Sequence, residues 1–278
     1  MISRRRFLAG VAWTAPIVLA ACAGSDNPAT EPTGGGATTS SFVPRPTVGP
    51  PAEPSTSAVP TDAPTTAPVV AATTATTGGP AAFIDHGDAT SDMVALTFHL
   101  SGPPATVTAM LDLLHQRGVT VTAFAVGTWI TANPEITKRL VADGHELGNH
   151  TEHHLEMSTL TSQQIGDEIV ECGQAIMPFI GSIGRWFRPS ATVVPTQVIL
   201  DAAGKAGYPV SVGYDIDSVD NKDPGAAAIV ANVNPKLHGG GIVSLHFGHP
   251  GTITALPQIL DELAARRLRA VTVGTLLG

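Results

Sequence analysis

The sequence predicts an α/β fold: a compact, distorted β/α barrel of about seven β-α units that follows a disordered N-terminal tether. Two observations lead to this prediction. From Ala82 onward, short β-rich runs alternate with segments of helical period, which is typical of repeated β-α units. Helix-terminating glycines, Gly118, Gly144 and Gly207, follow three of those segments. Because seven units must fit into fewer than two hundred residues, the barrel is expected to be smaller than the usual eightfold one.

The alternation predicts an order of strands and helices along this region. Strands are expected at Val94–Leu100, Val121–Val126, Glu146–His150, Trp186–Ser190, Pro209–Asp215, Ile242–Phe247 and Arg269–Val273. Helices are expected at Thr106–Gln116, Pro134–Ala142, Gln163–Phe179, Thr196–Lys205, Pro224–Val233 and Leu256–Arg267.

The first 21 residues have the pattern of an export signal. Arg4, Arg5 and Arg6 precede an apolar run that is too short to span a membrane comfortably, and Ser3 to Leu8 fits the twin-arginine pattern. Leu19-Ala20-Ala21-Cys22 resembles the bacterial lipobox, so Cys22 is expected to carry a lipid. The alternative is an ordinary Ala-x-Ala cleavage site. The lipid would anchor the exported protein to the outer face of the bacterial cytoplasmic membrane.

Residues 22–81 are predicted to be a tether. They are rich in Pro, Thr, Ala, Ser and Gly and have too few large apolar residues to form a core. Loss of residues 1–21 would remove three of the 15 basic residues and none of the 23 acidic ones, which takes the net charge from −8 to −11. Such a surface repels phosphate backbones, so nucleic acid is not an expected partner. Once Cys22 is lipidated, Cys172 has no partner for a disulfide and is expected to lie in the core.

Polar side chains cluster at the carboxyl ends of the predicted strands, where β/α barrels place their chemistry. They are His99, His150, His154, Arg188, Asp215, Asp217, Asp220 and His246. His150 and His154 lie on a turn from which two imidazoles can converge on zinc while positions remain open for water. This set predicts a metal site built on histidine.

The motifs from residue 82 to residue 278, taken in order, resemble the polysaccharide deacetylase family, which has the NodB homology domain and is of the carbohydrate esterase type. Val94-Ala95-Leu96-Thr97-Phe98 stands where the family's Thr-Phe-Asp-Asp motif begins. Gly144 to His154, Phe187-Arg188-Pro189, Asp215-x-Asp217-Ser218-x-Asp220 and Ile242-Val243-x-Leu245-His246 follow. The resemblance covers nearly all of the chain beyond the tether.

The resemblance implies a divalent metal, usually Zn²⁺, and removal of N-acetyl groups from a GlcNAc-containing polymer such as peptidoglycan. His150 and His154 match the metal-binding histidines. His246 matches the histidine that protonates the departing amine, and Asp220 matches the acidic residue that orients it, although the tryptophan that normally follows is Asn221 here. Arg188 matches the arginine that holds the catalytic carboxylate.

The first motif departs from the family pattern, because His99 and Leu100 replace its two aspartates, the general base and a metal ligand. Strand alternation is expected to point His99 toward the site and Leu100 toward the helices. His99 is then either a third metal ligand beside His150 and His154, which is the preferred interpretation, or a replacement for the base.

If His99 is a ligand, the base is unassigned, with Asp215, Asp217 and Glu152 as candidates. The alternative for Asp215 and Asp217 is that they cap the following turn. A carboxylate between Asp215 and Asp220 is expected to pair with Arg188 if Arg188 lacks its usual partner. Four further histidines of the barrel region, His86, His145, His153 and His249, are expected to be structural or solvated.

Three functions are therefore weighed. The first is a metal-dependent hydrolase that deacetylates envelope polysaccharide. The second is a catalytically silent protein that binds carbohydrate or the cell wall, motivated by the loss of both aspartates. The third is a hydrolase of a different amide or ester.

Overall fold

The computed structural model describes residues 78–278. The predicted signal peptide, Cys22 and all but the last four residues of the predicted tether lie outside the described residues. No helix within residues 78–278 is both long enough and apolar enough to cross a bilayer.

Short parallel strands form the centre of the described region. Their bounds are β1 Ala82–Ile84, β2 Met93–Leu100, β3 Thr122–Ala125, β4 Glu146–Asn149, β5 Trp186–Phe187, β6 Val210–Val212, β7 Ile216–Asp217, β8 Ile242–His246 and β9 Arg269–Val271. They belong to one sheet with the order β1-β6-β5-β4-β3-β2-β8-β7, and β9 pairs with the start of β2. All of these pairings are parallel.

The sheet curls as a half-barrel. In the region that the structure describes, β1 and β7 lie at the two ends of the strand order and do not pair with each other. The predicted α/β class and barrel-like curvature are confirmed. Each of the seven predicted strands is present at the predicted place, and most are shorter by one or more residues at the carboxyl end.

Helices cover the outer face of the sheet, as parallel pairing requires, because each crossover must return the chain to the same edge. Their bounds are α1 Pro104–Arg117, α2 Gly127–Ala132, α3 Pro134–Ala142, α4 Ser162–Ile180, α5 Gln197–Lys205, α6 Ala226–Val233, α7 Pro250–Ala265 and α8 Val273–Leu277. The longest helix, α4, starts with a capping box between Thr161 and Gln164, and Gly181 ends it in the left-handed conformation (φ 72°).

Four short elements escaped the sequence prediction: β1, β7, α2 and α8. Helix α8 occupies the end of the predicted strand Arg269–Val273. The hydroxyl of Thr272 accepts a hydrogen bond from the Thr275 amide and caps α8, so β9 stops at Val271 rather than at Val273.

The two faces of β2 have different surroundings. Its outward residues Val94, Leu96, Phe98 and Leu100 are fully buried in the largest apolar core, which lies under the helices. His99 lies on the opposite face. The predicted alternation is confirmed: Leu100 is a core residue, and His99 points into the half-barrel.

Cys172 lies in the same core. Its side chain is fully buried, its thiol lies 3.3 Å from the Ala125 carbonyl oxygen, and burial raises the pKa of the thiol well above its usual range. The expected role as a buried core residue is confirmed, because a thiol that does not ionise is a poor nucleophile.

Candidate active site

Strand register brings the predicted site residues together at one end of the half-barrel. In the pairing of β2 with β8, His99 stands directly opposite His246. His150 follows β4, and Arg188 follows β5, the neighbouring strand. Since all these strands run in the same direction, their carboxyl ends meet at one edge, and the four side chains converge there.

The best-defined contact in the site joins Asp220 and His246. Asp220 Oδ1 lies 2.7 Å from His246 Nδ1, and Oδ2 accepts hydrogen bonds from the His246 amide (2.8 Å) and the Thr252 hydroxyl (2.7 Å). Asp220 is fully buried. Burial favours its neutral form, but the hydrogen bonds from His246 and Thr252 outweigh burial and lower the pKa of Asp220 below its usual value. The carboxylate is therefore ionised and orients the ring of His246.

His99 lies between His246 and Arg188 and contacts both. Its Nδ1 is 2.7 Å from His246 Nε2, and its Nε2 is 3.3 Å from Arg188 Nη1. A guanidinium only donates and a carboxylate only accepts, so one assignment of hydrogens satisfies the whole row. Arg188 donates to His99 Nε2, His99 Nδ1–H donates to His246 Nε2, and His246 Nδ1–H donates to Asp220.

Arg188 is a buried cation that no carboxylate of residues 78–278 contacts. Its guanidinium donates to the carbonyl oxygens of Val212 (2.9 Å) and Gly213 (2.7 Å) and to the Thr97 hydroxyl (2.9 Å), and it stacks over the Phe124 ring at 4.1 Å. Burial lowers the pKa of Arg188 to about 9.

The expected pairing of Arg188 with a carboxylate between Asp215 and Asp220 is wrong, because all three carboxylates have other partners. Asp215 contacts His238 and accepts from the Ile242 amide. Asp217 accepts from the Val219 amide, which is the turn-capping alternative. Asp220 holds His246.

One histidine has the donor geometry that a divalent metal needs, and a second histidine lies beside it. His150 Nδ1 lies 2.8 Å from the Arg188 carbonyl oxygen, so Nδ1 carries the hydrogen and Nε2 keeps its lone pair. That Nε2 is buried and has no hydrogen-bond partner. The His154 ring centroid lies 4.9 Å from that of His150. An orphaned imidazole nitrogen beside a second imidazole fits a metal site with two protein ligands.

The contacts do not support His99 as the third ligand. Its ring stacks on that of His150 at 4.3 Å, but both of its nitrogens are engaged, one with His246 and one with Arg188. Accordingly, residues 78–278 contain no cluster of three His, Cys, Asp or Glu side chains arranged to hold a metal ion. The guanidinium beside His99 also opposes a cation at that position.

Burial shapes the protonation of this cluster. Burial, reinforced by the neighbouring histidines and Arg188, lowers the pKa of His99 and of His150 well below the usual value. Burial also lowers the pKa of His154. These side chains are neutral near pH 7, and a neutral imidazole is the form that binds a metal or accepts a proton.

Glu152, a candidate base, and the four histidines expected to be structural or solvated have partners outside the row from Arg188 to Asp220. Glu152 is held near the start of α2, since a β-carbon added to Gly127 would meet its carboxylate. His153 pairs with Glu168, His86 with Asp85, and His145 accepts from the Val121 amide. His249 pairs with Asp223, although its ring centroid also lies 5.6 Å from that of His246.

Three contributors to the site were not predicted from the sequence. Thr97 accepts a hydrogen bond from Arg188, Thr252 donates one to Asp220, and the ring centroid of Tyr214 lies 6.5 Å from that of His99. Thr97 could have been found because strand alternation on β2 points it inward with His99. Tyr214 could have been found because it lies near the carboxyl end of a predicted strand. Nothing local in the sequence marks Thr252, because its contact with Asp220 spans 32 residues.

A cleft of about 390 Å³ opens over this cluster. His99, His154, Arg188 and His246 are among the residues that line it. Asp217 is the only one of the three proposed bases that lines it. A parallel half-barrel that presents an Asp–His pair and two further histidines in a cleft at its carboxyl-terminal edge has the layout of a hydrolase.

Comparison with known proteins agrees with this class. The family model for polysaccharide deacetylase matches residues 86–211. A peptidoglycan-N-acetylglucosamine deacetylase of Bacillus cereus is 31% identical over 189 residues, which cover 66% of this chain and 88% of that protein. The chain therefore belongs to the polysaccharide deacetylase family, as the motifs predicted, and hydrolysis of carbon–nitrogen bonds other than peptide bonds is the reaction class of that family.

Two further relatives mark the range of the family. The uncharacterized protein YlxY of Bacillus subtilis is 28% identical over 191 residues, and the match spans 69% of this chain but 59% of that protein. The solved structure of wild-type BA3943 from Bacillus anthracis, described as a CE4 family pseudoenzyme, superposes with a TM-score of 0.66 at 26% identity over 71% of this chain and 69% of that one. A mutant of BA3943 is described as having restored enzymatic activity.

Proposed function

We propose that this protein removes N-acetyl groups from GlcNAc-containing polysaccharide of the cell envelope. The observation that carries the proposal is the buried Asp220 carboxylate, which orients His246 inside the cleft. Membership of the polysaccharide deacetylase family and the B. cereus relative support the substrate class.

His246 can serve both proton transfers of the hydrolysis. Its Nε2 takes a proton from the attacking water as the O–H oxygen joins the acetyl carbon, and the same nitrogen then gives that proton to the amine as the C–N bond breaks. Asp220 stabilises the imidazolium formed between the two steps. This assignment needs no aspartate at position 99 or 100. It requires the hydrogen bond between His99 Nδ1 and His246 Nε2 to break, so that His246 Nε2 can reach the water.

We propose Zn²⁺ as the cofactor, with His150 and His154 as the residues that would hold it. The bound ion would supply a Lewis acid for the acetyl carbonyl oxygen. The free lone pair of His150 Nε2 supports this proposal. The Arg188 carbonyl oxygen fixes the orientation of the His150 ring. Arg188 therefore contacts the proposed metal ligand His150 through its backbone and His99 through its side chain.

We propose further that the protein is exported and anchored by a lipid on Cys22, with residues 22–81 as a tether. The twin arginines and the lipobox-like Leu19-Ala20-Ala21-Cys22 support it. Mass spectrometry of the mature N-terminus tests it: a diacylglyceryl-modified Cys22 is expected, and an unmodified N-terminus at another residue would contradict the proposal.

A second candidate function is a silent glycan-binding protein. The occupied Nε2 of His246 and the similarity to a CE4 family pseudoenzyme favour it.

Acetate release distinguishes the two functions. The full chain would be assayed on N-acetylglucosamine oligomers and on peptidoglycan, with Zn²⁺ and with EDTA, against His246→Ala and His150→Ala. Release that His246→Ala abolishes and that EDTA lowers supports the deacetylase. Glycan binding without any acetate release supports the silent protein.

A further inference from the structure

The turn that carries His154 has a strained backbone. Thr151 and His154 adopt positive φ values of 67° and 57°. These values lie in the left-handed region, which is uncommon for any residue except glycine and is an outlier for a β-branched threonine. A strained turn keeps its shape only where the surrounding structure holds it in place. The contacts that hold this turn therefore decide where the His154 ring lies.

Two hydrogen bonds hold the turn before His154. The Thr151 amide donates to Asn149 Oδ1 at 2.9 Å. The His153 amide donates to Glu168 Oε2 at 2.8 Å. Both bonds lie on the amino side of His154, so they leave the chain on its carboxyl side to be fixed by another residue.

Ser190 supplies the contact after His154. Its hydroxyl donates to the Leu155 carbonyl oxygen at 2.5 Å and lies 3.0 Å from the Thr151 hydroxyl. A carbonyl oxygen only accepts, so Ser190 gives its hydrogen to Leu155 and accepts from Thr151. Thr151 and Ser190 are both fully buried. A single side chain thus joins the start of the turn to its end, with His154 between the two contacts.

The segment that contains Ser190 contacts both proposed ligands or their surroundings. Ser190 lies two residues after Arg188, whose carbonyl oxygen is 2.8 Å from His150 Nδ1. Residues 188–190 therefore orient the His150 ring through a backbone oxygen and the His154 turn through a hydroxyl. A metal ion needs its ligands at defined distances, and the residues that orient those ligands contribute to the affinity for the metal.

We propose that Ser190 is a positioning residue for the metal site. It holds the His154 turn in the place where the rings of His150 and His154 can bind one divalent ion. Ser190 itself contacts neither the metal nor the substrate. The inference rests on the proposed function for its two ligands, and it adds a residue outside the ligand motif on which their arrangement depends.

Zinc affinity tests the inference without an activity assay. The full chain would be titrated with Zn²⁺ against a chelator of known affinity, as wild type, Ser190→Ala and Ser211→Ala. We expect Ser190→Ala to weaken zinc binding by about 10- to 100-fold. Ser211→Ala is the matched control, since Ser211 is also fully buried but its hydroxyl has no hydrogen-bond partner among residues 78–278. Equal zinc affinity in wild type and Ser190→Ala would overturn the inference.

A second variant separates lost positioning from lost stability. Ser190→Ala leaves the buried Thr151 hydroxyl without an acceptor, which lowers Tm whether or not a metal is bound. Thr151→Val combined with Ser190→Ala removes that hydroxyl as well, so we expect Tm to recover while zinc binding stays weak. The visible absorption of bound Co²⁺, which reports coordination geometry, should change in both variants but not in Ser211→Ala. Zinc binding that recovers together with Tm would show a purely structural role for Ser190 and overturn the inference.

Failure of the inference and failure of the proposed function give different results. If zinc binding depends on Ser190 as expected but no acetate is released, the proposed hydrolysis fails and the inference stands. If acetate is released and Ser190→Ala keeps the wild-type zinc affinity, the hydrolysis stands and the inference fails. A wild-type chain that binds no zinc would overturn the inference together with the proposed cofactor.

Discussion

The Nδ1 atom of His99 lies 2.7 Å from Nε2 of His246, the nitrogen that must exchange protons with the substrate. His99 therefore covers the reactive nitrogen in the resting state. His99 stands where the family motif has an aspartate. Its contact with His246 therefore determines how a substitution at position 99 should change the rate of acetate release.

Truncation of His99 should uncover His246. In His99→Ala the hydrogen bond to Nε2 is gone, and its loss corresponds to about 1 kcal/mol, so we expect acetate release to rise about fivefold. Bound zinc should remain at the wild-type level, because the proposed ligands are His150 and His154. Metal analysis and an acetate assay check both results. Loss of the metal in the folded variant would show instead that His99 is a ligand.

A carboxylate at position 99 should do more than an alanine. In His99→Asp the new carboxylate faces the buried guanidinium of Arg188, and a hydrogen bond to a charged group contributes about 1.5 to 3 kcal/mol. We expect a higher Tm than that of His99→Ala and a faster release of acetate. His99→Asn, which has the same shape without the charge, is the control. Equal Tm values for the Asp and Asn variants would contradict this ion pair.

The charge of Asp220 should matter for rate. Asp220→Asn keeps the size of the side chain but cannot stabilise an imidazolium at His246, so kcat should fall by roughly 10²- to 10⁴-fold. Asp223→Asn is a matched control, because Asp223 makes a similar contact with His249 but is exposed. Stopped or continuous acetate assays compare the two. A similar loss in both variants would argue against the role of Asp220.

Buried neutral histidines should make the metal-free protein sensitive to acid. The pKa values of His99 and His150 are lowered in the folded state, so below about pH 6.5 the unfolded chain binds more protons than the folded one. Their contribution to stability is present in full above that pH and is lost as the pH falls toward the folded pKa values. Each extra proton adds a slope of about 1.4 kcal/mol per pH unit.

Urea unfolding in EDTA at several pH values between 5 and 8 measures this slope. His150→Leu removes one of the two groups and should flatten the curve below pH 6.5. A stability that stays constant from pH 8 to pH 5 would contradict the burial of neutral imidazoles.

The fold was largely predictable because its signals are local. Alternation on β2, helical period in α3 and α4, and glycines after helices need only a few neighbouring residues, and Pro134–Ala142 was predicted to the residue. Four short elements, among them β7, were missed because their signals are not local. β7 has two residues, and its pairing with β8 depends on contacts that are remote in sequence.

The site was predictable in its membership but not in its contacts. The direction of His99 followed from strand alternation, and the Asp220–His246 pair followed from the family motif. The partner of Arg188 did not, because backbone carbonyls of Val212 and Gly213 replace the carboxylate, and sequence letters do not show carbonyl directions. His99 is engaged rather than free to bind a metal because its two ring nitrogens contact His246 and Arg188.

The row from Arg188 through His99 and His246 to Asp220 has a polarity. A group that can only donate stands at one end, and a group that can only accept stands at the other, so every hydrogen between them points the same way. The four side chains therefore act as one element with a single resting arrangement. Either end alone fixes this direction, so the two imidazoles in the middle should exchange tautomers only when both Arg188 and Asp220 are substituted, and nitrogen NMR of the histidine rings would record this as the loss of two sharp, distinct states.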